Sequence, residues 1–229
     1  MPFTIQKLQL RLRELRQAAE EPGIPVTPLV STPASAPMAP PPDDDAPWQD
    51  LHLGQVWGQT HGTCWLQAFL ATWTYVPEQT PVLQLRWEQE PVDHLLRHLE
   101  ATAFLDDTAI GGFDWRHPHL VLPHHSSGGQ ILQRDGEHRL IIQVYTREPM
   151  PFAGLFLLIR HEQVFALYQA MQTLLDVCLA LADNEPVRLH LLETLNQAYT
   201  LLDLREGWTS PRLRASVPPA LYLLQQSLA

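Results

Sequence analysis

The stretch Leu53–Pro77 constrains the fold of this chain more than any other part of its sequence. It holds three of the seven tryptophans and the first of two cysteines, and a glycine-bounded turn precedes its most aromatic part. Aromatic residues favour strands, and Cys64–Trp73 is long enough to form a strand that is buried on both faces. We therefore expect a turn that leads into a central strand, with Cys64 as a small buried hydrophobic residue.

Strand-like segments with turn residues between them extend from residue 48 to about residue 160. In His138–Thr146, the residues Leu140, Ile142 and Val144 alternate onto one face. Further strands are predicted at Val82–Trp87, Leu99–Leu105, His119–Leu122 and Leu155–Ile159. Turns are predicted at Asp106–Asp107, Ile110–Phe113, Ser126–Gly129 and Asp135–Gly136, and a short helical turn at Pro91–Leu99. Residues 48–160 are therefore expected to form an antiparallel β-sandwich of the jelly-roll or galactose-binding-like type.

Helical spacing of apolar residues marks both ends of the chain. After residue 160, one stripe runs from Val164 to Cys178 and a second from Leu191 to Leu202, with Asp183–Pro186 between them. Residues 161–229 are therefore expected to form an α-helical hairpin, followed by a last helix that Pro218–Pro219 opens. Residues 1–20 show the same spacing and are predicted to be one amphipathic helix, which docks on the protein or on a second subunit.

A proline-rich segment separates the first helix from the β-region. Residues 21–47 are rich in proline, alanine and serine, and they contain the acidic run Asp43–Asp45. Proline fixes φ and removes a backbone donor, so this segment is not expected to join the interior of a sheet. We predict that it is an extended or disordered linker.

Charge and cysteine content exclude several classes of protein. The formal net charge is −10, with 15 basic against 25 acidic residues, so a nucleic-acid partner is not expected. Cys64 and Cys178 are far apart in sequence and belong to no metal or redox motif, which indicates reduced thiols. The sequence shows neither an apolar run long enough for a membrane span nor the pattern of a secretory signal, so we expect a cytoplasmic protein without a membrane partner.

Two groups of residues are candidates for binding. Trp57 and Trp115 stand beside turns, where a flat aromatic ring can stack on a sugar, whereas Trp65 and Trp73 are expected in the core. Four histidines at strand and loop spacing offer nitrogen ligands for a metal: His117, His119, His124 and His125. The competing interpretation is a polar strand edge beside Pro118 and Pro123. Asp106, Asp107 and Asp114 are interpreted as turn residues and not as catalytic acids.

An ordered series of residues points to a known family. The series starts with a Gly-x-x-Trp-Gly-x-x-x-Gly-Thr-x-Trp pattern at Gly54, Trp57, Gly58, Gly62, Thr63 and Trp65. It continues through Glu100–Asp107 and Gly111–Asp114 to the helical stretch Leu167–Ala198. In this order the chain resembles the non-catalytic N-terminal region of glycoside hydrolase family 38 α-mannosidases of the cytosolic and vacuolar type.

The resemblance implies a supporting role and no catalysis by this chain alone. His117-Pro118-His119 is followed by Leu120, so the metal-binding His-x-His-x-Asp motif of the family's catalytic domain has no counterpart, and neither does its aspartate nucleophile. We therefore expect no cofactor here and a truncated or split α-mannosidase-like protein in carbohydrate metabolism, scaffolding a catalytic domain or separate chain and forming a homo-oligomer. Two alternatives stay open: a free-standing carbohydrate-binding sandwich that uses Trp57, Trp115 and the region of His117, and a small metalloprotein built on the histidines.

Overall fold

The chain folds into two compact units. In this computed structural model, residues 2–34, 36, 39–43, 45–71, 78–87, 99–114, 117–122 and 137–227 are described. One unit is formed by Pro22–Ile159, and the other combines Met1–Glu21 with Arg160–Ala229. The predicted helical turn at Pro91–Leu99 and the predicted turns at Ser126–Gly129 and Asp135–Gly136 fall on residues outside these ranges, apart from Leu99.

The first unit is built of β-strands. Within the described residues, these strands are β1 (Ile24–Pro25), β2 (Leu29–Pro33), β3 (Gln49–Asp50), β4 (Val56–Trp57), β5 (Gly62–Ala71), β6 (Gln79–Trp87), β7 (Glu100–Leu105), β8 (Thr108–Asp114), β9 (His119–Val121), β10 (Glu137–Thr146) and β11 (Met150–His161).

The strands form two antiparallel sheets. The order in the first sheet is β1-β11-β6-β9, with β4 paired to β11, and the order in the second is β3-β2-β5-β10-β7-β8. Residues of both sheets share one hydrophobic core, which joins Leu83 and Leu85 of β6 with Leu66 of β5 and Ile142 of β10. Two sheets packed face to face on a common core form a β-sandwich, as the sequence predicts.

The centre of the second sheet is the pairing of β5 with β10. It runs in unbroken register over ten residue pairs, from Gly62 opposite Thr146 to Ala71 opposite Glu137. Leu140, Ile142 and Val144 all lie in the core, which confirms the predicted alternation in this strand. Side chains of the other parity therefore point to the outer face of the sheet.

The proline-rich segment is not only a linker. Leu29–Pro33 forms β2 and lies between β3 and β5, so the prediction that residues 21–47 stay out of the sheet is wrong for this part. The physical reason is the placement of the prolines. Pro28 precedes the strand and Pro33 ends it, so the backbone donors of the residues between them remain available to the neighbouring strands.

The turn predictions near residue 110 are half correct. Asp106 and Asp107 have φ values of 47° and 64° and form the tight turn between β7 and β8, as predicted. Ile110–Phe113, predicted as another turn, lies within β8. Gly111 and Gly112 suit this strand because it passes a register irregularity opposite Ala103 and Phe104, where small residues fit a distorted pairing.

The second unit is helical. Its described helices are α1 (Pro2–Ala19), α2 (Glu162–Ala180), α3 (Pro186–Thr200) and α4 (Pro211–Ser227). One hydrophobic core draws on all four, with Leu12 of α1, Leu167 of α2, Leu195 of α3 and Leu213 of α4 among its members. The predicted hairpin is α2 followed by α3. None of the helices in the described ranges has the length and apolarity that a membrane span requires.

The last helix begins earlier than the sequence reading places it. Pro211 is its first residue, and the backbone N–H of Leu213 donates to the Oγ of Ser210 at 3.2 Å. A serine cap followed by a proline at the first position is a favourable helix start. Pro218 and Pro219, predicted to open the helix, lie inside it.

Candidate functional site

A polar surface covers one end of the outer face of the six-stranded sheet. In one cross-strand row, Tyr145 lies opposite Thr63 on one side and Glu100 on the other, and Glu100 lies opposite Asp114. Val144 and Ala101, the sequence neighbours of Tyr145 and Glu100, lie in the core. Because side chains alternate along a strand, the residues of this row point away from the core. The row therefore crosses four strands, from β5 through β10 and β7 to β8.

A second row runs beside the first. Gln143 lies opposite Thr102, and Thr102 lies opposite Gly112. The two rows line a groove with a volume of about 660 Å³, which is within the range of small-molecule sites. We call this surface the groove. It is lined by Thr63, Glu100, Ala101, Thr102, Gly112, Phe113, Asp114, His117, Gln143 and Tyr145.

His117 stands at the β8 end of the groove and is held by Asp114. Its backbone N–H donates to Asp114 Oδ1 at 2.7 Å, and its Nδ1 lies 2.9 Å from Asp114 Oδ2. The imidazole is 76% exposed, so the pair is solvated and adds little to stability. The contacts with Asp114 hold the His117 ring at the margin of the groove.

The Tyr145 end of the groove opens into a smaller cavity of about 260 Å³. This cavity is lined by His61, Arg147, Glu100 and Tyr145. His61 Nδ1 lies 3.3 Å from the Tyr145 hydroxyl, and the His61 backbone N–H donates to the Arg147 carbonyl at 2.9 Å. Glu100 and Tyr145 belong to both cavities, so the two form one continuous depression.

The proline-rich segment covers the next part of the same sheet face. Trp65 lies opposite Gln143 and points outward, yet only 1% of it is exposed. It lines a third cavity of about 500 Å³ together with Pro40, Pro41, Pro42 and other residues of that segment. The Nη2 of Arg139 donates to the Pro42 carbonyl at 3.0 Å and ties the segment to β10. The groove therefore ends where the proline-rich segment covers Trp65.

Trp57 does not present its ring to a ligand. It is 6% exposed and packs edge-on against Phe152, with ring centroids 5.6 Å apart at 86°. The expectation of an exposed ring is therefore corrected: Trp57 pairs with β11 through Met150 and belongs to the core between the sheets. Trp115, the other tryptophan proposed for sugar contact, and Trp73 lie outside the described residues. Among the predicted site residues within the described ranges, His117 is the one that lines the groove.

The histidines proposed as metal ligands have other partners where the structure describes them. His117 contacts Asp114, whereas His119 Nε2 lies 3.0 Å from the side-chain nitrogen of Gln84. His124 and His125 lie outside the described ranges. Among the described residues, no group of three or more histidine, cysteine, aspartate or glutamate side chains is placed to hold a metal. The metal hypothesis stays a prediction.

The two cysteines are buried and unpaired with each other. Burial raises the pKa of the Cys64 thiol to about 12, and its Sγ faces the Val144 carbonyl at 3.7 Å. Burial also raises the pKa of Cys178, more than the nearby Arg188 lowers it. Since the thiolate is the reactive form, neither residue is a nucleophile. Cys64 is the small buried hydrophobic residue that the sequence indicates.

Most residues of the groove and its adjoining cavity were not predicted from the sequence. Glu100, Thr102, Gln143, Tyr145 and Arg147 were not among the predicted site residues. The signal for two of them was present in the alternation of β10: if Leu140, Ile142 and Val144 face the core, then Gln143 and Tyr145 share the outer face. Their neighbours on β7 depend on strand pairing, which the sequence does not specify.

The chain is similar to several solved structures, but no known sequence family or curated sequence matches it. Among solved structures, an FMN-binding β-glucuronidase from Facaelibacterium prausnitzii L2-6 matches with a TM-score of 0.37 and 12% identity, over 62% of this chain and 22% of that one. A rhamnosidase from Novosphingobium sp. PP1Y matches with a TM-score of 0.40 and 11% identity, over 62% of this chain and 15% of that one. A β-glucuronidase from an uncultured Clostridium species matches with a TM-score of 0.36 and 12% identity, over 62% of this chain and 29% of that one.

These matches correct the expected resemblance to α-mannosidases. The chain spans less than a third of each of these structures, and their names are β-glucuronidase and rhamnosidase, not α-mannosidase. The expectation of a family 38 α-mannosidase region is therefore wrong, whereas the catalytic domain or chain expected as a partner is not tested by the structure. With TM-scores this low, the function has to be argued from the groove itself.

Proposed function

We propose that the β-sandwich unit binds carbohydrate in the groove. The observation that carries this proposal is the pair of cross-strand rows, which set Tyr145 beside Glu100 and Gln143 beside Thr102 on one open face of the sheet. The rows belong to paired strands, so their side chains are fixed relative to one another before a ligand arrives. Such preorganisation lowers the cost of binding.

The chemistry of the groove suits sugar hydroxyls. A hydroxyl group both donates and accepts, and the groove offers an acceptor in the Glu100 carboxylate, a hydroxyl in Thr102, and both an acceptor and donors in the Gln143 amide. A hydrogen bond from a neutral hydroxyl to a carboxylate is stronger than one between neutral groups. The groove therefore holds more than one kind of partner for adjacent hydroxyls of one ring.

Tyr145 supplies the apolar part of the surface. Its side chain is half-buried at the centre of the first row and lines both cavities. A tyrosine ring combines a large apolar area with a polar tip, which complements the apolar C–H faces and the hydroxyl rim of a sugar. We infer that Tyr145 takes the stacking role that the sequence reading gave to Trp57.

Isothermal titration with a panel of neutral mono- and disaccharides tests the proposal. We expect saturable binding by the wild-type protein, and a loss of about tenfold or more in Tyr145→Ala, which removes the stacking ring from the centre of the groove. Tyr222→Ala is the matched control, because Tyr222 is an exposed tyrosine of helix α4. Equal loss in both variants, or no saturable binding to any sugar of the panel, contradicts the proposal.

Three further expectations from the sequence stay predictions. The homo-oligomer, the cytoplasmic location and the absence of a cofactor are not tested by the structure.

A further inference from the structure

We infer that the groove continues into a cationic subsite at His61 and Arg147, and that its ligand is an oligosaccharide carrying a carboxylate at that position. This inference rests on the proposed function, since it names the class of carbohydrate that the same surface takes. A uronic acid next to a neutral sugar has this chemistry. The inference depends on the continuity of the depression, on the way its two ends are held, and on where its charges lie.

The length of the depression exceeds one cavity. The groove of about 660 Å³ and the adjoining cavity of about 260 Å³ share Tyr145 and Glu100 as lining residues. Tyr145 lies on the outer face of β10, and Arg147, which follows the end of that strand, lines the smaller cavity beside it. A ligand that stacks on Tyr145 therefore reaches Arg147 with its next residue.

The subsite is held by the chain around it. The His61 backbone N–H donates to the Arg147 carbonyl at 2.9 Å, next to Gly62 and Thr146, the last residue pair of the β5–β10 ladder. Just before it, the Gln59 backbone N–H donates to Thr146 Oγ1 at 2.8 Å, and Thr146 Oγ1 donates back to the Gln59 carbonyl at 2.7 Å. His61 and Arg147 are thus anchored to the sheet.

Arg147 lines the smaller cavity and not the groove. Within the described part of the chain, no carboxylate forms an ion pair with Arg147, whereas Arg139 and Arg160 each have one within 4.0 Å. A guanidinium offers two parallel donors that match the two oxygens of a carboxylate. Asp114 lines the groove but not the smaller cavity and repels an anion in the groove, whereas Glu100 lines both cavities. The acidic residue of the ligand is therefore expected at Arg147, and the neutral residue over Thr102 and Gln143.

A matched pair of disaccharides tests this inference. The pair consists of a neutral disaccharide that binds and the same disaccharide with one terminal hydroxymethyl group oxidised to a carboxylate. By isothermal titration at low salt, we expect the acidic member to bind about fivefold more tightly to the wild-type protein. Arg147→Gln should remove this preference, so that the ratio of the two affinities falls close to one. Arg13→Gln, which removes an exposed arginine of α1, is the control and should retain the preference.

Salt dependence supplies a measurement that needs no variant. Raising the ionic strength should reduce wild-type affinity for the acidic disaccharide and hardly change affinity for the neutral one, because salt screens charge pairs. Equal affinities of the wild-type protein for the two disaccharides overturn the cationic subsite and leave the proposed function standing. Binding of neither overturns both. A preference for the acidic member that survives in Arg147→Gln also overturns the subsite.

Discussion

Replacement of Thr146 by valine tests how the loop before β5 is held. Thr146 ends β10, is fully buried, and both accepts from and donates to the backbone of Gln59. Valine has nearly the same shape and no hydroxyl, so Thr146→Val leaves the Gln59 N–H and C=O without these partners. Each partly buried backbone group left unsatisfied costs about 1–3 kcal/mol. Because Gln59 is half-buried, we expect the lower part of that range for each group.

The sum gives a loss of about 2–3 kcal/mol in the free energy of unfolding of the β-sandwich unit. Thr146→Ser is the matched control, since it keeps the hydroxyl and removes one buried methyl group, at a cost of about 1 kcal/mol. Urea denaturation followed by tryptophan fluorescence measures both variants, and the buried Trp57 and Trp65 make fluorescence sensitive to this unit. An unchanged slope with a lower midpoint would identify a change in stability.

The comparison of the two variants decides the outcome. If the paired hydrogen bonds hold the loop, Thr146→Val is less stable than Thr146→Ser by at least about 1 kcal/mol. If serine costs as much as valine, the methyl group and its packing matter, and the paired hydrogen bonds to Gln59 do not hold the loop. Circular dichroism of the helices, recorded on the same samples, serves as a reference for the helical unit, which contains neither Thr146 nor Gln59.

Three further predictions concern side chains outside the groove. Trp57→Ala should lower the free energy of unfolding by about 3–5 kcal/mol, because it empties a core position against Phe152; a loss under about 1 kcal/mol in urea denaturation would restore Trp57 as a surface residue. Cys64, whose pKa burial raises to about 12, should resist alkylation at about pH 8 in the folded protein and react in urea, as mass spectrometry can show; rapid native labelling would contradict its burial. Burial and the nearby Arg214 lower the pKa of His161 more than the hydrogen bond with Glu21 raises it, so the unfolded chain binds the proton more tightly. The contribution of neutral His161 to the free energy of unfolding should be complete above about pH 6.5 and decline as the pH falls below that value. Urea denaturation at several pH values should show that the free energy of unfolding of His161→Gln depends less on pH than that of the wild-type protein. The same pH dependence in both proteins would contradict this assignment.

The architecture follows from local patterns that the sequence displays. Leu140, Ile142 and Val144 alternate, and this period of two is enough to predict a strand with one buried face. The helices after residue 160 are equally legible, because apolar residues at steps of three and four have no comparable interpretation in a strand. The antiparallel sandwich followed by a helical hairpin was predictable for this reason.

Short strands were missed because their stability comes from neighbours. Leu29–Pro33 has no extended apolar pattern of its own, and it becomes a strand by filling the place between β3 and β5. The glycines of Thr108–Asp114 resemble a turn in sequence, but pairing with β7 makes them part of a strand. Tertiary context decides such segments, as it often does for strands.

The groove was hidden for the same reason. Glu100 and Tyr145 are far apart in the chain and become neighbours only through the β7–β10 register. Tryptophans beside turns were predicted as the binding residues instead. This prediction is wrong for Trp57, which follows a turn and still packs inward on Phe152. Similarly, the residues that carried the α-mannosidase resemblance include Trp57 and Trp65, which are buried and serve the sandwich itself.

Mapping of a bound sugar onto the sheet tests the central claim most directly. Backbone amide spectra of the isotopically labelled protein would be recorded during titration with the tightest-binding disaccharide of the panel. Binding in the groove predicts saturable shifts at residues of Glu100–Leu105 and Glu137–Thr146 and in the His61 loop, with the helices unaffected. Saturable shifts confined to the helices or to the five-stranded sheet, or no shifts at any concentration, would contradict carbohydrate binding on this face.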